Sequence, residues 1–139
     1  MSNIKYLNVE YIDSAEFITY NGRDCNFNDN VFPYSKESGS SDYDALINFT
    51  IDIDTGKVLD WKEGDTACIY SKPVDSGIYT FMDNNKNDLL KISDYVIDGL
   101  DIEDEGFGDY IILRILPDGT INNWNKDKVL KAYNKYKEN

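Results

Sequence analysis

The chain is expected to be mainly β (α+β): antiparallel hairpins in a twisted sheet or small barrel, with one C-terminal helix. Three observations carry this. Apolar and polar residues alternate over several short runs, the period of a half-buried strand. The runs are parted by sequences that favour turns: Asn21-Gly22, Asp54-Thr55-Gly56 and Pro117-Asp118-Gly119. The apolar spacing becomes helical only once, after residue 125.

Taken in order, residues 4–12 place Leu7, Val9 and Tyr11 on one parity and read as a strand. Residues 15–20 read as a second, stopped by Asn21-Gly22. From Arg23 to Asp44 the alternation fails, and the Ser/Gly-rich segment 35–41 predicts a long loop or lid. Residues 46–53, a Gly-containing turn and Lys57–Trp61 predict a hairpin. Residues 66–72 and 78–82 predict two more strands, partnered through a turn at Pro73–Gly77. After the polar turn 83–88, Leu89–Ile92 returns. An acidic connector, 94–108, leads to Tyr110–Leu116, whose near-continuous apolar run reads as a central strand. Pro presets φ and Gly accepts a positive φ at 117–119, so Thr120–Trp124 is expected to return. Asn125 is a candidate N-cap, with Asp127 in the first turn. Val129, Leu130, Tyr133 and Tyr136 form a narrow apolar stripe on a helix of three to four turns.

One internal echo stands out. Gly56-Lys-Val-Leu-Asp-Trp61 matches Gly119-Thr-Ile-Asn-Asn-Trp124, with Trp five residues after Gly in each. Two units are too few for a solenoid. The expectation is two similar hairpins in one sheet or barrel.

The 139 residues suggest one domain, with a β body over 1–124 and a Lys-rich helix over 125–139. A hydrophobic fraction of 41% and an aromatic fraction of 14% exclude a disordered chain. The net charge is −12. Residues 125–139 carry five lysines against Asp127 and Glu138, a net +3, which leaves −15 on residues 1–125. Such a body repels nucleic acid and anionic membrane and attracts basic surfaces. No direct nucleic acid and no membrane partner is therefore expected.

The first residues show no basic stretch followed by an apolar one, so no signal peptide is expected. No apolar run approaches the ~20 residues of a spanning helix. Cys25 and Cys68 are expected as buried free thiols in a reducing cytosol, the alternative being one disulfide. These points together predict a cytoplasmic protein.

The chemistry is notable for what it lacks. With no His, the commonest general base and metal ligand is gone, and Ser-His-Asp or Cys-His sites are excluded. Two cysteines cannot close a structural zinc site. No phosphate-cradling loop is present; Gly106-Phe107-Gly108 precedes a strand and is flanked by acids. Asp52-x-Asp54-x-Gly56 puts Gly one position early for a calcium loop and reads as a hairpin turn. Neither a catalytic site nor a cofactor nor a metal is expected; the chain reads as a non-enzyme.

The densest acidic stretch holds Asp98, Asp101, Glu103, Asp104, Glu105 and Asp109, six acids in twelve residues. It is either a solvated, solubilising loop or a decoy offering a DNA-like field to a Lys/Arg groove. Asp42, Asp44, Asp52, Asp54, Asp60, Glu63 and Asp65 could extend it. Tyr and Trp are frequent interface anchors. Phe32, Tyr34, Tyr43 and Phe107, placed in loops, are the candidate contacts beside the acids.

Five motifs together resemble a group of small acidic proteins encoded by phages and prophages: Asn21-Gly22, Ile51–Lys57 with Trp61, Asp75-x-Gly77-x-Tyr79 followed by Asp83, Gly106–Ile112, and Asp118-Gly119-x-Ile121-x-x-Trp124. The resemblance covers residues 15–124. This sequence differs in carrying segment 35–41, in lacking a Pro after Trp61 and in adding the helix 125–139. The resemblance implies a mobile-element setting, where small non-catalytic acidic proteins inhibit host defence, as anti-CRISPR proteins do. The leading expectation is such an inhibitor, acting in the host cytoplasm on a host protein with a basic nucleic-acid-binding surface. The alternatives are a self-assembling phage accessory protein and a small-ligand sponge closed by the 23–44 loop.

Overall fold

A computed structural model of the chain describes residues 4–12, 17–25, 31–37, 45–71, 77–94, 103–104 and 111–137. Eleven strands and one helix occur among them. In chain order these are β1 (Ile4–Ile12), β2 (Phe17–Tyr20), β3 (Arg23–Cys25), β4 (Ser35–Glu37), β5 (Ala45–Asp52), β6 (Lys57–Val58), β7 (Ala67–Ser71), β8 (Gly77–Asp83), β9 (Asp88–Asp94), β10 (Glu103–Asp104), β11 (Ile111–Ile115) and α1 (Lys126–Lys137). The fold is mostly β, as expected. The strands make two open antiparallel sheets rather than a barrel.

The first sheet runs β4-β5-β1-β8-β9, with β6 also on β5. Its register explains the parity seen in residues 4–12. Leu7 lies between Ile51 and Phe81, and Val9 lies between Phe49 and Tyr79. All six are buried, while Asn8, Glu10 and Thr50 fall on the other face and are half-buried. The second sheet runs β10-β11-β7-β2-β3. There Leu113, Ile69, Ile18 and Cys25 form one buried row across four strands.

The Asn21-Gly22 turn closes the β2–β3 hairpin with φ of 53° and 80° at its two central residues. Both are positive, as the tight hairpin turn matching strand twist requires. The 23–44 region is therefore not loop throughout. It contains β3 and also β4, a polar strand at the edge of the first sheet, held to Ala45, Leu46 and Ile47. Edge strands need little apolar content, because one side and one face meet water, and this is why alternation did not reveal it.

Two further expectations are corrected. The strands expected at 66–72 and 78–82 correspond to β7 and β8 but are not partners: β7 pairs with β2 and β11, whereas β8 pairs with β1 and β9. Adjacent strands in sequence pair often but not always, and here the chain crosses from one sheet to the other between them. The return strands after Gly56 and Gly119 are also shorter than expected. The first ends at Val58, and the second is reduced to single bridges at Thr120 and Ile121.

The helix forms as expected. The Asn125 side chain accepts from Lys128 N–H at 3.1 Å, and its carbonyl from Val129 N–H at 3.2 Å. This is an N-cap, with Asp127 in the first turn. Val129, Ala132 and Tyr133 are the buried residues, with Leu130 and Tyr136 half-buried beside them. Tyr133 meets Phe81 edge-on at 5.1 Å, so the helix packs its apolar face on the core beside β8.

Candidate functional site

The internal echo is a mutual clasp, and it ties the two sheets together. The first hairpin belongs to β5–β6 and the second to β11, so they lie in different sheets, not in one. Val58 N–H donates to Gly119 O at 2.8 Å, and Ile121 N–H donates to Gly56 O at 2.8 Å. Lys57 bridges Thr120. Each Trp covers the other hairpin's glycine. A Cβ on Gly56 would lie 2.3 Å from Trp124 Cγ, and one on Gly119 would lie 2.9 Å from Trp61 Cβ. The fourth residue after each glycine is also left-handed, Asp60 at φ 61° and Asn123 at φ 57°. Trp124 Nε1 donates to Ile53 O at 2.9 Å, and Trp61 Nε1 to Asp65 O at 3.0 Å. Pro117–Gly119 makes the expected turn, with Gly119 N–H on Leu116 O and φ of 89°.

Beside the clasp sits a charge cluster. Lys5 Nζ lies 3.0 Å from Asp54 and 3.2 Å from Asp52, and Lys126 Nζ lies 2.8 Å from Asp54. The Asp54 carboxyl is held below its usual range, first by Lys126 and then by Lys5. The Lys5 ammonium is correspondingly raised, chiefly by Asp54. Asp52 Oδ1 also accepts Asp54 N–H at 2.9 Å. These carboxylates are engaged by lysines and by their own turn, so they do not extend an unpaired acidic face.

A second cluster is aromatic. Tyr34 stacks on Trp61 with centroids 5.9 Å apart and planes 6° from parallel, and Phe32 meets Tyr20, Tyr34 and Trp61. Both tyrosine hydroxyls are hydrogen-bonded. Tyr34 Oη donates to Leu59 O at 2.8 Å, and Tyr20 Oη donates to Asp65. Burial and then Asp65 push the Tyr20 phenol to about 12, and Tyr20 in turn lowers the Asp65 carboxyl. Asn21 ties the same loop to the β2–β3 turn: Asn21 Nδ2 donates to Asp65 at 3.2 Å and Thr66 N–H donates to Asn21 Oδ1 at 2.9 Å.

The expected contacts divide accordingly. Phe32 is only 1% exposed and is a core residue, not a contact. A loop position says nothing about burial when three rings close over it. Tyr34 is half-buried with its hydroxyl used. Glu103 and Asp104 form β10, opposite Ile112 and Ile111, on the outer edge of the second sheet. Asp98, Asp101, Glu105, Phe107, Asp109 and Tyr43, with Asp42 and Asp44, lie outside the described residues. Among the possible extending acids, Asp60 and Glu63 are exposed. Asp65 was foreseen only as a charge; the signal for its role is the Asn-Gly turn that it anchors.

Cys25 and Cys68 are not joined in a disulfide. Cys25 pairs with Ile18 and Cys68 with Thr19, consecutive positions on β2, so they belong to opposite faces of the second sheet. Arg114 Nη1 lies 3.3 Å from Cys68 Sγ. No described helix is long and apolar enough to cross a membrane.

Comparisons with family descriptions, curated proteins and solved structures find no match to this chain.

Proposed function

We propose that this chain is a non-catalytic inhibitor from a mobile genetic element. It acts in the host cytoplasm and occupies the basic, nucleic-acid-binding surface of a host defence protein, in the manner of anti-CRISPR proteins. The observation that carries this reading is the position of β10. Glu103 and Asp104 sit on the outermost strand of the second sheet, in the middle of the six-acid stretch and on a body of net −15. An edge strand built of two acidic residues, on a body of strong net negative charge, would offer a concentration of negative charge. A groove evolved to neutralise phosphates would accept it by the same counterion release. The resemblance to phage and prophage proteins supplies the setting.

The test is affinity capture from bacterial lysate, nuclease-treated, with the wild type and with Asp101, Glu103, Asp104 and Glu105 all changed to Lys. The expected result is a nucleic-acid-binding protein held by the wild type at low salt, released near about 0.5 M salt, and not held by the variant. Equal capture by the charge-reversed variant would sink the acidic-surface reading.

A further inference from the structure

We draw no further inference here: the strongest candidate, the polar face of the first sheet where Asn48 Oδ1 is buried without a hydrogen-bond partner opposite Glu10 of the neighbouring strand, is an unpartnered sheet face, and nothing in the structure shows what covers it.

Discussion

Trp124 lies on the bare Cα of Gly56, and Trp61 lies in the same way on Gly119. Each glycine is buried and left-handed, at φ 76° and 89°. Side chain and backbone therefore exclude any other residue there, for two separate reasons.

Gly56→Ala should cost about 3 kcal/mol, combining a left-handed alanine with overpacking against the indole. Gly22→Ala should cost only about 1 kcal/mol, because its φ is 80° but nothing lies within 4 Å of the added carbon. Urea unfolding would compare them. In a Trp124→Ala background the cost of Gly56→Ala should fall toward the Gly22→Ala value, and additive costs would show that the clasp is not the cause.

Asp54→Asn should lower the melting temperature slightly at neutral pH and low salt. The native carboxyl is held below its usual value by Lys126 and Lys5. Its stabilising contribution is therefore present above the unfolded value of about 3.9 and is lost as pH falls through the lower native one. Both charges are substantially exposed, so the effect should fade as salt is added. Melts of both proteins between acid and neutral pH, with and without salt, would check this.

Tyr11 and Tyr20 should titrate late. Burial carries Tyr11 to about 12 although its hydroxyl is 3.2 Å from that of Tyr79, and Tyr20 reaches about 12 beside Asp65. A raised native value means stability is complete below the unfolded value of about 10 and declines as pH rises toward 12. Ultraviolet titration should show phenols, these two among them, ionising near the top of the range. Tyr11→Phe and Tyr20→Phe should each remove one; loss of an ordinary phenol in either variant would contradict the structure.

The two thiols should remain reduced and unequal. Cys68 is half-buried and Cys25 is 6% exposed. Labelling of the native protein should reach Cys68 first and Cys25 only as the chain unfolds. An intramolecular disulfide formed under mild oxidation would contradict their placement on opposite faces.

Much of the local structure was legible in residue order. Asn21-Gly22 requires its turn, Asn125 caps its helix, and the parity of Leu7, Val9 and Tyr11 marks the buried face. These are contacts between residues a few positions apart, where geometry and chemistry are both written in the chain. The acidic stretch was legible as charge, but the edge position of Glu103 and Asp104 was not, because it depends on pairing with Ile111 and Ile112.

By itself the sequence determined a mostly β chain with a capped basic C-terminal helix, a body of strong negative charge, and two hairpins built on one pattern. Only the tertiary structure decided that β7 and β8 enter different sheets, that Ser35–Glu37 is an edge strand, that Phe32 is core, and that the two patterned hairpins clasp each other. Period and turn chemistry act over a few residues. Sheet partnership and the seating of an indole on a distant glycine are chosen by which long-range packing buries the most apolar surface.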